Sequence, residues 1–121
     1  MSYNVDNVKT LSGKLTISRA SLRKIKRMRI ETPECCFLDA IFVKEGKDDD
    51  AESFDIEDLE WYGEGSGYAF EDLLTKVLPF TKGTMEVVVT WEGGDSVNGL
   101  RIVDGTVTKH EVEMKLGKKI P

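Results

Sequence analysis

An α+β domain, with an antiparallel sheet and two helices packed on one of its faces, is what three features of this 121-residue chain predict. Several stretches alternate with a period of two, two others repeat with a helical period, and the last third places tight-turn signals between alternating segments. The expected order is β-α-β-β-α-β-β-β, in a single domain spanning residues 1–121.

Residues 8–18, VKTLSGKLTIS, open the pattern. Lys9, Leu11, Gly13, Leu15 and Ile17 share one parity and Thr10, Ser12, Lys14 and Thr16 the other, as in a half-buried strand. Ser18 is the expected N-cap of a helix with Leu22, Ile25 and Met28 on one stripe and Arg19, Arg23, Lys24, Lys26, Arg27 and Arg29 on the other faces. Thr32-Pro33 should close it, because the residue before a proline avoids the helical region. CFLDAIFVK (36–44), dense in Phe, Ile and Val, reads as a central strand, and EGKDDDAES as a solvated loop. FDIEDLEWY (54–62) reads as a strand whose parity slips between Phe54, Ile56 and Leu59, Trp61; a bulge near Glu57-Asp58 would reconcile the halves. GEGSG (63–67) leads to a short helix with Phe70, Leu73, Leu74 and Val77 on one side, ended by Pro79.

TMEVVVTW (84–91) puts Met85, Val87, Val89 and Trp91 on one face. Gly93-Gly94 suits a two-residue hairpin turn, SVNGLRIV (96–103) returns, and Asp104-Gly105 makes a second turn. TVTKHEVEMKL (106–116) is the expected last strand, with His110, Val112, Met114 and Leu116 on its apolar face.

The net charge of −5 conceals a segregation. Residues 1–44 carry nine Lys/Arg against four Asp/Glu, residues 45–72 one Lys against twelve Asp/Glu, and residues 73–121 seven basic groups against six acidic. Such asymmetry governs steering and association rather than fold. The acidic middle therefore carries the first functional reading: a non-enzymatic protein that blocks a basic surface on a macromolecular partner. Asp48, Asp49, Asp50, Glu52, Asp55, Glu57, Asp58 and Glu60 would steer, and Trp61 and Tyr62 would dock. An immunity protein against a toxin nuclease, or a phage inhibitor of a nucleic-acid-handling defence complex, fits that description.

Two alternatives stay open. In a small-ligand domain, Gly63, Gly65, Ser66 and Gly67 would hold an anion while Trp61, Tyr62 and Tyr68 stack on a base. No lysine follows as in a Walker loop, and Glu64, Glu71 and Asp72 oppose phosphate. In a metal-assisted hydrolase the acidic cluster would hold a divalent ion. However, calcium-loop spacing fails, since the sixth and twelfth positions counted from Asp48 are Ser53 and Leu59.

Catalytic candidates are sparse. His110 is the only histidine, Gly65-Ser66-Gly67 lacks nucleophile-elbow spacing, and no catalytic residue or cofactor is expected. Adjacent Cys35 and Cys36 read as reduced thiols; with one histidine they make no zinc set. Direct nucleic-acid binding is not expected from a chain of pI about 4.9 with no aromatic residue between Tyr3 and Phe37. The start, Met-Ser-Tyr-Asn-Val-Asp, has neither the basic residues nor the apolar stretch of a signal peptide, and no run is long enough to span a membrane. A cytoplasmic protein is expected. A second copy of the chain is a further candidate partner, through strands 36–44 or 106–116 at a sheet edge.

The stretches WYGEGSGYAFEDLL, TWEGGDSVNGLRIVDG and VTKHEVEM, across roughly residues 59–117, together resemble small uncharacterised proteins of bacteria and their phages. In those a TWEGGDS-like hairpin precedes one of GLRxxDGxVTxHEV type. The resemblance implies the double hairpin and no catalytic residues.

Overall fold

The computed structural model describes residues 4–28, 37–47, 50–59, 65–91, 97–113 and 116–121. A long strand β1 (Asn4–Ser18) runs directly into α1 (Arg19–Arg27). Then come α2 (Phe37–Lys47), β2 (Ser53–Ile56), β3 (Gly65–Ser66) and α3 (Gly67–Asp72). A π-helical turn (Leu73–Val77) and a 3₁₀ turn (Leu78–Phe80) lead into β4 (Thr81–Trp91), β5 (Val97–Val103) and β6 (Thr106–His110). All paired strands are antiparallel, in the order β2-β1-β4-β5-β6, and β3 pairs with the first residues of β1. The class is α+β, as predicted, but the order is corrected to β-α-α-β-β-α-β-β-β, with three α-helices rather than two among the described residues.

The extra helix stands where 36–44 was expected as a central strand. Leu38, Ile41, Phe42 and Glu45 are spaced three and four apart, a helical stripe hidden inside a nearly continuous apolar run. Ile41 and Glu45 are buried while Val43 is exposed, as one helical face requires. α1 begins at the expected cap: the Ser18 hydroxyl accepts from the Ser21 amide at 3.1 Å. It stops at Met28, short of Thr32-Pro33, which lies outside the described residues.

β1 reconciles an irregular pattern with one buried face. Its pairing with β4 skips one residue between Val5 and Asn7 and another between Thr10 and Ser12. Each skipped residue reverses the parity. Val5, Val8, Leu15 and Ile17 thereby all face the core, and Leu11, expected inward, is 59 % exposed on the opposite face. Just beyond the second bulge, Gly13 has φ +91°. It lies so close to β4 that a Cβ there would sit 2.1 Å from the Thr84 carbonyl oxygen.

The helices cover one face of the sheet. Leu22 and Ile25 of α1, Ile41 of α2, Phe70 of α3, and Leu73, Val77 and Leu78 pack against Met85, Val87, Val89, Leu100 and Ile102. Trp91 closes the cluster: it meets Phe70 edge-on at 6.1 Å, and its indole N–H donates to Asn98 Oδ1 at 2.9 Å. The Asp104-Gly105 turn is as expected, both residues having positive φ. Its aspartate is tied to the start of β4, Oδ1 accepting from the Gly83 amide at 2.9 Å.

Two further expectations are corrected. Among the described residues, FDIEDLEWY is a strand only to Ile56; Leu59 is buried without a strand or bulge to carry it there. The last strand ends at His110, and its apolar face is the odd one. Val107, opposite Ile102, is half-buried, whereas His110, Val112 and Leu116 are exposed. Met114, Gly93 and Gly94 lie outside the described residues.

Candidate functional site

β2 forms one edge of the sheet, and the acidic segment runs along it. Asp50, Glu52, Asp55, Glu57 and Asp58 are all exposed. The alternation that buries Phe54 and Ile56 turns Asp55 outward.

Three attachments fix this backbone. At its start, the Arg19 amide donates to the Glu52 carbonyl at 2.8 Å and Arg19 Nε to the Ala51 carbonyl at 2.7 Å. The guanidinium stands 5.1 Å over the Phe54 ring and also reaches the Glu45 carbonyl in the last turn of α2, where a cation is favoured. In the middle, β2 pairs with β1 from Ser18↔Ser53 to Leu15↔Ile56. At its end, the Thr10 hydroxyl donates to Asp58 Oδ1 at 2.7 Å and accepts from the Leu59 amide at 3.1 Å. Removing that hydroxyl in Thr10→Val should cost about 1–2 kcal/mol in a urea titration. Hydrogen exchange at the Leu59 amide should accelerate as well, and unchanged exchange would mean the tether holds nothing.

A cation of β1 reaches the middle of this edge. Lys14 Nζ lies 3.5 Å from Asp55 Oδ2, both side chains being about half exposed, a geometry worth little in water. Glu45, expected in a solvated loop, is instead buried in α2 and ion-paired with Lys26 of α1. It therefore adds nothing to the exposed acidic surface.

Of the residues expected to bind a partner, the structure brings Asp50, Glu52, Asp55, Glu57 and Asp58 to one edge. Asp48, Asp49, Glu60, Trp61 and Tyr62 lie outside the described residues. Of the ligand-binding alternative, Gly65 and Ser66 form β3 opposite Val5 and Asn4, Gly67 opens α3 and Tyr68 lies in its first turn; Gly63 lies outside. Three residues of the GEGSG stretch, Gly65, Ser66 and Gly67, thus serve as a strand and a helix start. Thr10 and Arg19, the two residues that hold the edge, carried no signal in the sequence beyond their hydrogen-bonding capacity.

The uncovered face holds a shallow groove of about 260 Å³ beside Leu11, Val88, Gly99 and Val112. The Glu86–Arg101 ion pair at 3.3 Å forms part of its rim, and Arg101 and His110 are open to solvent. Among the described residues, no three His, Cys, Asp or Glu side chains gather as metal ligands. No described helix is long and apolar enough to cross a membrane. The chain matches no protein-family profile, no curated protein and no solved structure.

Proposed function

We propose that this chain is a non-enzymatic binding protein whose acidic edge docks on a basic surface of a macromolecular partner and blocks it. A toxin nuclease or a nucleic-acid-handling defence complex is the partner class that fits. The observation that carries the reading is the fastening of the acidic segment at Arg19, along β1 and at Thr10 while its carboxylates stay exposed. A charged surface already held in place loses little conformational freedom on association, and its field accelerates encounter with a cationic face. A mobile acidic loop would have the second property without the first.

The test is kinetic. Association with a panel of purified nucleases and defence complexes is measured by interferometry at low and high salt. One partner is expected to bind with an on-rate that falls steeply with salt. Its affinity should drop about tenfold or more when Glu52, Asp55 and Glu57 are reversed to lysine. A binder indifferent to both salt and reversal, or no binder at all, counts against the reading.

A further inference from the structure

We propose that the opposite edge of the sheet, strand β6, pairs with β6 of a second copy to make one continuous antiparallel sheet. β6 ends the strand order, so one side of it has no strand neighbour among the described residues. The two-residue turn makes Val103 and Thr106 a hydrogen-bonded pair. Alternation then points the N–H and C=O groups of Val107 and Lys109 away from β5. Just past the end of β6 the chain stays beside β5: Val112 Cγ2 lies 3.5 Å from where a Cβ on Gly99 would stand, and Gly99 is the partner of His110. Carrying the same alternation one residue past the end of β6, as pairing with a second copy would, turns the Glu111 backbone to the open side.

Charge selects the occupant. Lys109 has the parity of the covered face yet is exposed, and a lysine so placed discourages pairing with strands that offer no anion opposite it. Two-fold symmetry keeps residues of like parity opposite one another, which leaves three central registers. Centred on Thr108, Lys109 meets Val107; centred on Lys109, it meets another lysine. Centred on His110, Lys109 of each copy meets Glu111 of the other, twice. The strand therefore repels a generic edge and complements its own.

Sedimentation of the full chain over a dilution series tests this. A dimer is expected. Lys109→Glu or Glu111→Lys alone should weaken association about tenfold, because two cross-strand pairs change from attraction to repulsion. Combining both reversals should restore it. Lys109→Pro, which removes an outward N–H together with the lysine charge and takes no donor from the β5 ladder, should give a folded monomer whose melting temperature, unlike that of the dimer, does not depend on concentration. A wild-type chain that stays monomeric, single reversals without effect, or a double reversal that fails to restore the dimer would each overturn the proposal. None of these substitutions touches the acidic edge, so the outcome is independent of the function proposed above.

Discussion

Gly13→Ala is expected to destabilise the fold by about 3–4 kcal/mol, a large share of the ~5–15 kcal/mol typical of a domain. Two costs combine. Gly13 has φ +91°, where an L side chain costs roughly 1–2 kcal/mol. The new Cβ would also stand 2.1 Å from the Thr84 carbonyl oxygen and 2.8 Å from Met85 Cα. Both neighbours are backbone in a strand paired on both sides, so relief requires shifting β4 itself, and overpacking of this kind costs about 1–3 kcal/mol. Gly46→Ala is the control. A Cβ there meets nothing within 4 Å, and α2 should gain about 0.5–1 kcal/mol from the better helix former. Urea midpoints moving in opposite directions confirm the argument; a Gly13→Ala midpoint equal to wild type refutes the close approach of β1 and β4.

Lys26→Met should cost about 2 kcal/mol although Lys26 is itself half exposed. Its partner decides the matter. The Glu45 side chain is 7 % exposed, its Oε2 has no hydrogen-bond partner among the described residues, and the other oxygen is held by Lys26, whose ammonium also stands 5.2 Å over the Phe42 ring. Methionine keeps most of the aliphatic stem and removes the charge, leaving a carboxylate buried without a cation. Breaking a fully buried pair costs about 3–5 kcal/mol, reduced here because water reaches the lysine. The double variant Lys26→Met/Glu45→Met should recover the loss or exceed wild type, since no charge then needs solvation. A coupling of that sign in a double-mutant cycle is the diagnostic result. Additive single effects would show that the two side chains do not act as a pair.

Legibility in the sequence followed the range of the interactions. Met85, Val87, Val89 and Trp91 declared their face by alternation, and Asp104-Gly105 declared its turn by residue type, because both signals are local. Helix α2 was hidden because an apolar run as dense as CFLDAIFVK fits either period; the buried Glu45 that would have marked the stripe reads, in sequence, as one more acid. β6 was turned inside out because its apolar residues after Thr108 lie beyond the strand, leaving Val107 alone to report the core side. At the candidate site the charge was plain and its fastening was not. Thr10 meets Asp58 and Leu59, and Arg19 meets Ala51 and Glu52, across separations that no local pattern encodes.

The two skipped residues of β1 also determine where the gene can change length. Deleting Leu11 would turn an interrupted alternation into a regular one, with Thr10 and Gly13 keeping the sides they have now. Deleting Lys14 would instead turn the rest of the strand over, exchanging Leu15 and Ile17 with the hydrophilic side chains between them. Within one strand, then, loss of a single codon is tolerated near the midpoint and forbidden a few codons later.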